Sequence, residues 1–73
     1  MKFLKAIREK AGLSQKKLAE ELGVDENTVW RWEAGRAYPS VDLGKQIAEL
    51  LGVSVDELLR GPAEKRWEVR VIL

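Results

Sequence analysis

Asn27 and Arg31 stand one helical repeat apart, four residues, with Glu26 and Trp30 beside them. A side-chain amide can accept and donate at once, which matches the N7 and N6 edge of adenine. A guanidinium fork matches O6 and N7 of guanine, and a carboxylate can accept from N4 of cytosine. A carboxylate would also repel phosphate. An indole offers apolar surface to a thymine methyl or a sugar, although it can equally lie across Arg and Lys stems or anchor a protein partner. On a helix, residues four apart share a face, so Asn27 and Arg31 would stack on one side.

That helix needs a platform. The stretch 15–34, QKKLAEELGVDENTVWRWEA, reads as a short helix, a glycine turn and a second helix. Leu18, Ala19, Leu22, Val24, Val29 and Trp32 point one way; Glu26, Asn27, Trp30 and Arg31 point another. Ala19 is small where the two helices approach, and Gly23 tolerates the left-handed turn. Val29 can pack back on the first helix. This arrangement can lay the second helix in a major groove.

The flanks supply further helices. Phe3, Leu4, Ile7 and Ala11 recur at helical spacing, closed by Gly12. Ser14 and Asp25 are expected to cap the second and third helices through their side chains, and Gly35 ends the third. Ser40 can cap a fourth, whose buried side is predicted to be Val41, Leu43, Ile47, Leu50 and Leu51. Gly44 inside it costs roughly 1 kcal/mol against alanine, which suggests close approach of a neighbouring element or of a DNA backbone. Ser54 to Glu57 reads as a capping box for a short fifth helix with Leu58 and Leu59. Gly61-Pro62 punctuates the chain. Trp67, Val69, Val71 and Leu73 then alternate with Arg66, Glu68, Arg70 and Ile72, a strand period.

Composition excludes several classes. With 73 residues the chain is one small domain with a thin core. It has no cysteine and no histidine, which removes disulfides, thiolate chemistry, the commonest metal ligand and the commonest general base. The carboxylates fall at spacings usual for solvated faces. No nucleophile–base pair, metal cluster or phosphate loop is visible, so neither an enzyme nor a cofactor is expected. No apolar run reaches the ~20 residues of a membrane span, and charges interrupt the N-terminal stretch, which argues for a cytoplasmic protein. Net charge is only +1; residues 1–40 hold eight Lys/Arg against six Asp/Glu, and residues 41–73 five against six.

The spacing of Gln15, Ala19, Gly23 and Val29 resembles that of the XRE/Cro-type helix-turn-helix domains of phage repressors and bacterial regulators. So do the flanks LKAIREKAGLSQ and GRAYPSVDLGKQIAELLGVSVDELL. The likeness covers residues 3–59. It implies an all-α, five-helix lambda-repressor-like domain over residues 1–60; the strand period adds a short C-terminal β-strand arm over residues 61–73. The resemblance also implies double-stranded DNA as partner. By position, Glu26, Asn27 and Arg31 would face base edges, with Trp30 standing where the family has a polar residue. Ser14 and Gln15 would meet phosphate at the start of the second helix. Thr28, Arg36 and the backbone around Ala37 would touch the sugar-phosphate chain. Lys16 is added as a phosphate neighbour. The resemblance further suggests that Arg8 and Glu33 pair between the first and third helices, orienting the reading helix rather than touching DNA.

The arm suggests a partner. A lone strand leaves backbone groups unpaired. Trp67, Val69, Val71 and Leu73 are expected to pair with the same strand of a second copy, although Trp67 folding onto its own helices would also satisfy the pattern. The expected function is a homodimeric repressor on an inverted-repeat operator. The rival is an antitoxin-type module, which neutralises a partner toxin, represses its own operon and uses Trp30 and Trp67 as anchors.

Overall fold

A computed structural model describes residues 1–61. Its five helices are α1 (Leu4–Lys10), α2 (Gln15–Leu22), α3 (Glu26–Glu33), α4 (Val41–Leu51) and α5 (Val55–Arg60). The arm residues Trp67, Val69, Val71 and Leu73 lie outside the described residues.

Each helix places one side chain at the centre. Leu4, Leu18, Val29, Ile47 and Leu58 are all at most 1% exposed, and they come from α1 to α5 in order. The apolar stripes therefore converge on one core, joined by Ala19, Trp32, Ala48 and Leu51. Met1 also packs there, and its nitrogen donates to the Trp32 carbonyl at 2.6 Å. That contact is a second bond to a carbonyl at the end of α3 that also accepts from the Gly35 amide at 3.2 Å. Nothing in the sequence pattern pointed to it.

Caps fix where the helices stop. Ser14, Ser40 and Ser54 accept from Lys17, Leu43 and Glu57 amides at 3.0, 3.2 and 3.0 Å. The Ser54 hydroxyl also donates to the Glu57 carboxylate at 3.5 Å, a side-chain contact and not the bond from the Ser54 amide that would complete a capping box. At the other ends, α1 to α4 close with the same pair of backbone bonds. In α3 these run from Arg36 N–H to Arg31 C=O and from Gly35 N–H to Trp32 C=O. Between α2 and α3 the chain turns at Gly23 with φ 71°, a conformation that costs a side-chain-bearing residue about 1–2 kcal/mol.

Three expectations are corrected. Asp25 occupies the N-cap of α3 but makes no side-chain cap bond. Its main-chain carbonyl already accepts from the Thr28 amide at 2.9 Å, the amide its carboxylate would have taken. On α4, Val41 and Leu50 are exposed at 76% and 39%, and Ala48 takes the buried place. Ile47, Ala48 and Leu51 define the inward stripe; Leu50 falls roughly 100° around the helix from Leu51, and Val41 starts the first turn, outside the packed face. Gly44 has nothing within 4 Å of where a Cβ would sit, so no element of the described fold requires its smallness.

Candidate nucleic-acid interface

α3 is divided lengthwise. Val29 and Trp32 face inward at 0% and 2% exposure, while Glu26, Asn27, Trp30 and Arg31 are exposed. The division follows from the local order ENTVWRWE: positions 29 and 32 share a face by helical spacing, and 27 and 31 share another. The polar side chains of Glu26, Asn27 and Arg31 have no hydrogen bond or ion pair among the described residues. They stand ready for an external partner.

Gln15, at the first turn of α2, joins Glu26, Asn27 and Trp30 around one shallow surface depression. The start of α2 and the outer face of α3 therefore form one continuous surface. Lys16 is exposed beside it, and the first amides of α2 lack helical partners by the geometry of a helix start. Backbone N–H groups at a helix N-terminus, with a lysine beside them, suit an anion. Ser14 is exposed with its hydroxyl already accepting from Lys17. Thr28 is half-buried.

Beyond α3, the Arg36 guanidinium lies over the Trp30 ring, 5.6 Å from its centroid. The contact is a cation–π pair that holds both side chains at the rim. Trp30 still leaves 46% of its surface exposed, so the stacking does not consume it. Both chemistries weighed for this indole, lying against an Arg stem and presenting apolar surface outward, are available at once. Ala37 is half-buried and packs against the core.

A polar cluster sets the angle of α3. Arg8 Nε donates to Glu33 Oε2 at 2.6 Å and Nη2 to Oε1 at 3.2 Å, a two-pronged pair with both side chains under a tenth exposed. Arg8 Nη1 donates to the Leu13 carbonyl at 2.7 Å. Hydrogen bonding to Glu33 raises the pKa of Arg8, against the opposing effect of burial. Gln15 Nε2 donates to Glu33 Oε1 at 2.9 Å. The carboxylate thus ties the end of α3 to α1 and to the start of α2. The bond from Gln15 was not foreseen. Its residue type allowed it, but only the crossing of α2 and α3 brings the amide to Glu33.

Among the described residues no group of three or more His, Cys, Asp or Glu is placed to hold a metal ion, and no helix is long and apolar enough to cross a membrane. What the geometry offers is a polar surface on the outer face of α3.

The sequence model of the helix-turn-helix family matches residues 4–58, which covers α1 to α4 and reaches into α5. The chain is 38% identical over 58 residues to the HTH-type transcriptional activator BcrR of Enterococcus faecalis, covering 80% of this chain and 28% of that one. It is 36% identical over 58 residues to an SPbeta prophage-derived HTH-type transcriptional regulator of Bacillus subtilis, YonR, covering 54% of that protein. An HTH-type transcriptional regulator of Archaeoglobus fulgidus is 30% identical over 67 residues, 92% of this chain and 94% of that one. The chain thus spans about a quarter of BcrR and about half of YonR. No solved structure gives a significant match. A family match over residues 4–58, from α1 into α5, makes this chain a member of the XRE-type helix-turn-helix family.

Proposed function

We propose that the chain is a sequence-specific DNA-binding transcriptional regulator of the cytoplasm, acting without catalysis, with residues 1–60 as the reading domain. The observation that carries this is the divided α3: its inner face is locked into the core while Glu26, Asn27 and Arg31 have no hydrogen bond or ion pair among the described residues. In this reading Asn27 and Arg31 pair with base edges, Glu26 accepts from cytosine, and Trp30 supplies apolar contact. Ser14, Gln15, Lys16, Thr28, Arg36 and the backbone at Ala37 set the domain on the sugar-phosphate chain. Gln15 would do this while still bonded to Glu33.

The test is binding-site selection from random duplexes, followed by titration of Arg31→Ala on the selected site. The variant is expected to lose about 1–3 kcal/mol and to relax preference at one base-pair position. An equal loss on every sequence would overturn the role of Arg31 as a base reader.

The reading includes a homodimer on an inverted repeat, repressing by occupancy, with residues 61–73 as the dimerisation arm. Two reading helices must sit about 34 Å apart to meet successive major grooves. Trp67, Val69, Val71 and Leu73 would pair antiparallel with the partner's copy and fix that distance. By light scattering the full chain is expected at twice the mass of a monomer, and a chain ending at Gly61 as a monomer. A truncated chain that dimerises equally well would remove the arm from the interface.

A further inference from the structure

The loop after Ala37, the start of α4 and one side of α5 border an apolar groove of about 380 Å³. Its walls are Tyr38, Pro39 and Val41 on one side and Val55, Leu58 and Leu59 on the other. Four of these are large apolar side chains left in solvent: Val41 at 76%, Tyr38 at 74%, Leu59 at 62% and Val55 at 40%. Isolated exposed leucines are ordinary, but several lining one concave site call for an occupant. Gly44 also lines the groove, a helix-interior glycine that no element of the described fold requires. None of the groove residues belongs to the depression around Asn27 and Trp30.

We propose that this groove is the seat of the chain's own C-terminal segment, residues 67–73. Three observations select that occupant. The first is where the described fold ends. Gly61 is buried, at φ 96°, with the Phe3 ring 2.8 Å from where its Cβ would stand. The chain therefore leaves the domain from a fixed point, two residues after Leu59 of the groove wall. The second is reach. Residues 62–66 can span roughly 17 Å when extended, enough to turn back onto α5 and α4. The third is chemistry. Trp67, Val69, Val71 and Leu73 alternate, so an extended segment presents all four on one side to an apolar channel. Tethering also makes the encounter intramolecular, at an effective concentration in the millimolar range.

The seat goes beyond the dimer reading and does not require it. It would supply what an isolated two-stranded ribbon lacks, a surface on which to bury its apolar face.

The chain has no cysteine, so paired cysteines give a clean probe. Val41→Cys is combined with Val69→Cys, and separately with Val71→Cys, in the full chain under mild oxidation at low concentration. At least one pair is expected to cross-link within the monomer at least tenfold faster than Asn27→Cys with Val69→Cys. Adding Leu59→Asp, at an exposed position, should slow the faster pair at least fivefold with helicity unchanged. Groove pairs no faster than the control, or cross-links only between chains, would overturn the seat. A light-scattering dimer without the intrachain cross-link sinks the seat and leaves the dimer. A monomer that cross-links supports the seat and sinks the dimer.

Discussion

Replacing Glu33 by alanine is expected to cost about 3–5 kcal/mol of folding stability. The carboxylate takes two prongs from Arg8 and one bond from Gln15, and its side chain is only 6% exposed. Removing it strands a buried guanidinium that keeps just the Leu13 carbonyl as partner. Arginine cannot relieve this by losing its proton, since it stays charged throughout the accessible pH range. A domain of this size has about 3–5 kcal/mol in total, so the variant should be largely unfolded at 25 °C. Changing both partners, Arg8→Met with Glu33→Leu, should restore part of the loss. What remains is about 1–3 kcal/mol for the unpaired Leu13 carbonyl. Urea unfolding of the single and double variants measures both values. A single variant within 1 kcal/mol of the parent, or a double variant no better than the single, would contradict the account.

The same pair has a functional readout. Glu33 ties the end of α3 to Arg8 of α1 and to Gln15, which borders the depression shared with Asn27 and Trp30. In the double variant the fold persists while the tie from α1 and Gln15 to the end of α3 is gone. DNA affinity should then fall on all sequences alike, whereas Arg31→Ala should fall selectively. The two patterns separate orienting α3 from reading with it.

Much of this was legible in the sequence because the signals are local. Ser14, Ser40 and Ser54 each lie immediately before an apolar stripe, and Gly12, Gly23, Gly35 and Gly52 each follow one. Caps and left-handed turns act within a few residues, so their order along the chain fixes helix number and ends. The inner and outer residues of α3 followed for the same reason. What was illegible depends on how helices cross. The bond from Gln15 to Glu33, the stacking of Arg36 on Trp30 and the docking of Met1 under α3 join residues that no spacing rule relates. Val41 and Leu50 misled because apolar type signals burial only if another element arrives at that angle. On α4 the neighbours reach Ile47, Ala48 and Leu51 instead.

The two tryptophans of α3 should respond in opposite ways. Trp32→Ala is expected to destabilise by about 3–5 kcal/mol, because a 2%-exposed indole leaves a cavity too large to collapse. The loss falls where α3 meets the core, so DNA binding should disappear together with the thermal transition, on every sequence. Trp30→Ala removes a half-exposed ring whose one described ring contact is Arg36. Its stability cost should stay within about 1 kcal/mol, the scale of a surface cation–π pair. If Trp30 packs on a thymine methyl, its loss should weaken the selected site and spare sites with another base there. Near-normal binding by Trp30→Ala would assign that ring to Arg36 alone. A stable, folded Trp32→Ala would be harder to absorb: the inner face of α3 would then not be what holds its outer face in place.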